Sequence, residues 1–301
     1  MTSVPPPEPQ VSLHTHPEVP EGIVPAERPD PPGSLAAVPV WAPLAAMLCA
    51  FIVATMAYLL IAAGVEAGGG NVTTGGPPGL VISATFVQDL ALIAAALVFA
   101  SLWSHGLTPA SFGLRPVRFG PALGWTLLTF AAFWTLTAIY ISAVGEPDQQ
   151  ELTRDLREEE SIAALVGYGV LLTFVAPLTE ELFFRGFVFG VLREKAGVIG
   201  GALVTGIVFG LVHVSGSPIE TVGVLVILGV LLCLLFAQTG SLLPCIALHA
   251  INNAISFAAT KEIPVAPAIL IVLAAAAASV AVSVVVMQRV PVLPGVQRTP
   301  R

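Results

Sequence analysis

Asp89, Glu180, Glu181 and Arg185 are charged residues lying inside long apolar stretches, and His213, His249 and Asn253 are the other strongly polar groups there. An ionisable group at the centre of a bilayer costs ~2.5 to 3.5 kcal/mol on insertion scales, so each requires a partner, a wet cavity or a task. Glu181 and Arg185 are four residues apart, which puts acid and base on one helical face in the favoured order. His249 and Asn253 have the same spacing, so both side chains can address one site. Glu180 has Phe184 rather than a base at the following turn, and an unpaired intramembrane carboxylate marks a functional position. A carboxylate in an apolar pocket is a competent general base for water, and a nearby histidine can share or return the proton. His249 with Asn253 would offer N–H donors to a developing oxyanion. Together these groups describe hydrolysis, with Arg185 keeping Glu181 ionised and Glu180 free to act.

The elements that position them must belong to a membrane protein. Of 301 residues, 55% are apolar and only 10% charged, with a mean hydropathy of +0.89, whereas a soluble domain has about a quarter of its residues charged. The net charge of −7 argues against a nucleic-acid partner, which calls for a basic face. Cys49, Cys233 and Cys245 are scattered through apolar runs and read as packing residues, not as a disulfide framework or thiolate cluster. Residues 1–39 hold eleven prolines, five acids and one arginine, a composition that predicts a disordered tail in which His14 and His16 are solvated. No short basic leader precedes the first apolar run, so that run is expected to be retained. Residues 40–288 form the expected transmembrane bundle, and 289–301 a short basic C-terminal tail.

Measured against the ~20 residues a helix needs to cross the hydrocarbon core, eight spans are expected. They are 40–64, 79–103, 119–145, 161–193, 197–214, 218–238, 241–259 and 265–288, so the fold class is an all-α polytopic bundle of about eight transmembrane helices. The fourth carries Pro177 and is expected to be kinked, tilted or split. An even number puts both termini on one side, which would hold eight Lys or Arg residues against three on the other (Arg154, Arg157 and Lys261), and this predicts cytoplasmic termini. If spans four and five form a hairpin turning near Arg193–Gly197, Glu180 and His213 lie ~20 to 24 Å from the turn, with Asn253 at ~20 Å and His249 at ~14 Å in a helix of the same direction. The polar groups then share one slab of the bilayer. The pairs Gly186/Gly190, Gly197/Gly201 and Gly206/Gly210 would bring the two hairpin helices close together.

Three motifs carry a resemblance. Glu180-Glu181-Leu-Phe-Phe-Arg185 matches EExxxR, Phe209-Gly-Leu-Val-His213 matches FxxxH, and His249-Ala-Ile-Asn-Asn253 matches HxxxN. In this order, each within an apolar span, they resemble the CPBP family of intramembrane proteases, which includes the type II CaaX prenyl endopeptidases and bacterial Abi proteins. The match covers roughly residues 161–259, the expected protease core. The resemblance implies a plasma-membrane endopeptidase acting on membrane-associated substrates, prenylated proteins or peptides among them. It implies that Glu180 and His213 activate water, that His249 and Asn253 stabilise the tetrahedral intermediate, and that Glu181, Arg185 and Phe209 support them. Members have been described both as metalloproteases and as glutamic proteases. Glu180, His213 and His249 could supply three ligands of an open Zn²⁺ site, but HExxH and a Cys ligand are missing, so a metal-free mechanism is favoured.

Two other classes compete. A membrane scaffold or immunity protein could keep the fold without cleaving, although a scaffold gains nothing from buried carboxylates. A proton-coupled transporter could use Asp89, Glu180, Glu181 and His213 as an ion route, but the halves show no internal repeat. Asp89, beside Gln88, has no role in the hydrolytic scheme and is expected to pair with Arg185 or with a neighbouring helix.

Overall fold

The structure, a computed structural model, describes residues 33–72, 77–146, 148 and 150–289. The tail expected over 1–39 therefore falls outside the described residues up to position 32, as do His14, His16 and positions 290–301. Gly33 to Val40 already form turns, and Leu35 and Val38 are buried in the core, so packing begins before the first helix.

The described regular structure is helical: α1 (Ala42–Ala67), α2 (Pro78–Ser101), α3 (Phe119–Val144), the short α4 (Glu151–Glu158), α5 (162–196), α6 (197–211), α7 (Ile219–Thr239), α8 (Leu242–Thr260) and α9 (Val265–Arg289). Prolines mark several starts, where the missing N–H costs nothing: Pro43 in α1, Pro78 in α2 and Pro218 before α7. Ser161 and Ser241 cap α5 and α8 through their hydroxyls. Gly240, in the left-handed region at φ 64°, ends α7.

Among the described residues, seven helical stretches are long and apolar enough to cross a membrane, and one of them, Ile162–Leu211, runs for 50 residues. At 1.5 Å per residue that is ~75 Å, more than twice the hydrocarbon thickness. It does not run straight. Gly197 adopts φ 70°, ψ 175°, and a Cβ placed on Gly201 would lie 2.9 Å from the Arg193 nitrogen, so the chain folds back on itself. The seven stretches thereby make the eight passes expected, with α5 and α6 as an antiparallel hairpin. Large apolar side chains point outward along these helices, Leu60, Ile199 and Leu270 among them, as a lipid solvent requires. The protein is a multi-pass membrane bundle.

Hydrogen bonds sort the connections onto two faces. Gly33 N–H reaches the His105 carbonyl at 2.7 Å, Lys195 Nζ the Ala36 carbonyl at 2.8 Å, and Ser241 Oγ the Arg115 carbonyl at 2.6 Å. Residues 33–36, 104–115, 193–197 and 239–242 thus gather on one face. On the other, Lys261 Nζ donates to the carbonyls of Glu159 and Arg157, at 2.8 and 3.2 Å.

The small-residue pairs serve different neighbours from those expected. Gly201 allows the tight turn against Arg193, but Gly206 and Gly210 face α7, and Gly186 faces the Phe112 carbonyl. The reason is that α6 packs along α7, where Gly206 and Gly229 meet backbone to backbone. A Cβ on Gly206 would lie 2.7 Å from the Val230 nitrogen and 3.0 Å from the Val226 carbonyl, atoms that cannot rotate away. Gly206→Val is expected to cost about 1–3 kcal/mol through overpacking, visible as a lower thermal midpoint of the purified protein in detergent.

Candidate active site

The site is built on an irregular helix. Within α5, π-helical turns run over Leu171–Val175 and Glu181–Phe189, on either side of Pro177. Ala176 N–H bonds the Leu171 carbonyl five residues back, and in that register Pro177, which has no N–H, leaves the Leu172 carbonyl without a partner. Asn253 Nδ2 donates to that carbonyl at 3.0 Å. α8 therefore repairs the gap in α5, and the wide turns let consecutive glutamates face different surroundings. Removing the donor leaves a carbonyl unpaired in a water-poor interior. Asn253→Ala is expected to cost about 1–3 kcal/mol, read as a lower thermal midpoint.

Glu181 points inward and is fully buried. Its Oε1 accepts from Arg185 Nη1 at 2.8 Å and faces His249 Nδ1 at 2.8 Å. Arg185, also fully buried, donates through Nη2 to the Gly229 carbonyl at 3.3 Å and stacks 4.5 Å over the centroid of Phe209. The same ring lies 5.2 Å from the His213 ring and 6.0 Å from that of His249, so Phe209 spaces the two histidines and the guanidinium.

The two imidazoles are oriented by acceptors. His213 Nδ1 lies 2.8 Å from the Phe209 carbonyl, which can only accept, so Nδ1 carries the hydrogen and neutral His213 keeps a free lone pair on Nε2. The Glu181 carboxylate, paired with Arg185, is the acceptor that faces Nδ1 of His249. His249 Nε2 lies 3.8 Å from Glu180 Oε2, a separation one small group can bridge.

Glu180 opens onto a cavity of about 500 Å³ that it shares with His213, Phe184, Val212 and Ser215 on one side and with residues of α1 and α2 on the other. Polar groups on that second wall are Thr55, Tyr58, Thr85 and Gln88. Sequence reasoning missed this wall, because threonines and a tyrosine in apolar helices are too common to signal a site; Gln88 beside Asp89 was the one hint. Asp89 is buried, with Oδ2 lacking a hydrogen-bond partner, and lies within electrostatic reach of Glu180. Arg185 is committed to Glu181 instead.

The candidate residues thus divide. Glu180 and His213 face one cavity, His249 stands behind Glu180, and Glu181, Arg185 and Phe209 form the support beneath. Asn253 is turned to the Leu172 carbonyl, so the His249/Asn253 pair does not converge on one point as the i, i+4 spacing suggested. No group of three His, Cys, Asp or Glu side chains that could hold a metal ion is found among the described residues.

A family model described as type II CAAX prenyl endopeptidase Rce1-like matches residues 162–255, from the start of α5 into α8. The match spans less than a third of the chain and supports, over α5 to α8, the resemblance that the three motifs carry. Comparison with curated proteins gave no match, and comparison with solved structures gave none either. The matched segment contains every candidate residue from Glu180 to Asn253, and the description of the matching model is that of a protease. The α1 and α2 wall of the cavity lies outside the matched residues.

Proposed function

We propose that the protein is an intramembrane endopeptidase of the plasma membrane that hydrolyses peptide bonds of membrane-associated substrates without a metal. The observation that carries this reading is the shared cavity: a partly exposed carboxylate, Glu180, and a histidine whose Nδ1 faces a backbone carbonyl, His213, line the same volume inside a membrane bundle. The family description adds the reaction class. Glu180, with His213, takes a proton from water as the hydroxide attacks the peptide carbonyl. The proton passes to His249 Nε2, 3.8 Å from Glu180, and the resulting imidazolium is stabilised by Glu181 through Nδ1. The proton returns through Glu180, which faces the cavity, to the leaving amine as the C–N bond breaks, which balances the proton taken from water. Arg185 pairs with Glu181 and holds it in place, and Asn253 keeps the π-helical turns that aim Glu180.

The bundle is oriented with the face of residues 33–36 and 193–197 in the cytoplasm, by the excess of Lys and Arg on that face. The test works whatever the substrate is. Mass spectrometry of protein termini is compared in membranes of matched cells expressing wild type or Glu180→Gln at equal levels. Termini present only with wild type are the expected result; identical sets, with both proteins inserted and folded, would favour the scaffold.

A further inference from the structure

A second concave site lies at the end of the bundle where the α2–α3 loop, the start of α8 and the last turns of α9 meet. Its volume is about 580 Å³, within the roughly 300–1,000 Å³ of small-molecule sites. Leu114, Leu243, Val284 and Met287 give it an apolar lining, and Arg115 and Gln288 stand exposed beside them. Its depth is that of a membrane boundary, because α3 starts at Phe119, α8 starts at Leu242 and α9 ends at Arg289. On the same face Trp41 and Trp103 pack edge to face at 5.4 Å, and such amphipathic rings collect at headgroup level.

The loop that carries Arg115 is pinned in place. Ser241 Oγ donates to the Arg115 carbonyl at 2.6 Å, Leu242 N–H to the Gly113 carbonyl at 2.8 Å and Leu114 N–H to the Pro109 carbonyl at 3.0 Å. Arg115 Nη2 donates to the Ala110 carbonyl at 2.8 Å, which fixes the guanidinium and leaves its other N–H groups for a further acceptor. Arg115 also lines a smaller polar cavity of about 110 Å³ with Ser34 and Ser111, where Arg193 and Glu194 pair with each other at 3.5 Å. It therefore stands between an apolar groove and a polar hollow, the two environments an amphiphile needs. Arg118 and Arg289 adjoin the lining residues Val117 and Gln288, and no Asp or Glu is among the residues lining the groove. An apolar groove accepts any acyl chain, but a guanidinium without a competing carboxylate favours a phosphate. The flanking arginines make the net charge of the headgroup count, since they repel a choline or ethanolamine cation.

We propose that this groove binds an anionic phospholipid, with an acyl chain along Leu114, Leu243, Val284 and Met287 and the headgroup phosphate on Arg115. The site is separate from the Glu180 cavity and stands whatever reaction that cavity supports and whichever leaflet the groove faces. The test is thermal unfolding of the purified full-length protein in non-ionic detergent, titrated with phosphatidylglycerol, with phosphatidylcholine of the same chains, or with inorganic phosphate. Phosphatidylglycerol is expected to raise the midpoint, with half-saturation on the order of tenfold below that of phosphatidylcholine. Inorganic phosphate at the same concentration should leave the midpoint unchanged. Arg115→Gln should remove most of the preference, and Arg154→Gln, on the opposite face, should keep it. Val284→Trp, which fills the groove and leaves the guanidinium in place, should weaken both lipids. Equal responses to the two lipids, or a preference reduced as much by Arg154→Gln as by Arg115→Gln, would overturn the proposal. A phosphate response equal to that of the lipid would show a bare anion site instead. A phosphatidylglycerol response that appears only in a chain ending at Arg289 would show that residues 290–301 occupy the groove, and would refute the lipid.

Discussion

Glu180→Gln is expected to lower cleavage by about 10²–10⁴-fold, the usual contribution of a positioned general base, while insertion and thermal stability stay near wild type. The amide has the volume of the carboxyl and can still hydrogen-bond in the cavity, but it cannot accept the proton of an attacking water. Because Glu180 is partly exposed to the cavity and has no ion-pair partner within hydrogen-bond distance, its charge does little to hold the fold. His213→Ala should lose activity in the same sense and by less, since Glu180 remains as base. The measurement is the rate of appearance of the Glu180-dependent termini at matched protein levels. A Glu180→Gln protein that cleaves at the wild-type rate would remove Glu180 from the mechanism.

Arg185→Met should act on the fold first. It strips a fully buried carboxylate of its cation, and breaking a buried pair from one side costs about 3–5 kcal/mol. Loss of folded yield and a lower thermal midpoint in detergent are the expected readouts. Activity falls with them, so a second variant separates the causes. Replacing both members, as in Glu181→Gln with Arg185→Met, removes the unpaired charge and should recover most of the yield, because an apolar or neutral replacement of a buried pair is often close to neutral in stability. Turnover should nevertheless stay on the order of 10²-fold low, since a neutral amide at position 181 cannot stabilise an imidazolium at His249. A double variant that recovers both yield and turnover would reduce the pair to packing.

The spans, their number and the motif residues were legible because the bilayer imposes a simple code. A run of ~20 apolar residues spans the membrane, and each exception stands out against it. The Glu181–Arg185 pair was legible for a similar reason, since four residues on a helix fix two side chains on one face whatever the surroundings. The hairpin at Gly197 followed from a polar, glycine-bearing break between two apolar runs.

Other features depended on partners distant in the chain. Asn253 sits one turn from His249, and helical spacing alone aimed both at one point. The gap that Pro177 opens at the Leu172 carbonyl, 81 residues away in sequence, drew the asparagine elsewhere. The glycine pairs showed that helices approach closely, but not which ones; the contact of Gly206 with Gly229 and of Gly186 with the Phe112 carbonyl joins segments of no fixed sequence relation.

By itself, the amino-acid sequence determined that this protein is a membrane bundle, where its helices cross, and which polar side chains the membrane had to accommodate. Those properties are local: hydropathy, helical period and the cost of burying charge act on residues near one another in the chain. Only the tertiary structure decided that Glu180 and His213 face one cavity, that Arg185 and His249 share Glu181, and that α1 and α2 form the opposing wall. Each of these depends on which helices pack together and in what rotation, and that is settled by the summed contacts of the whole bundle.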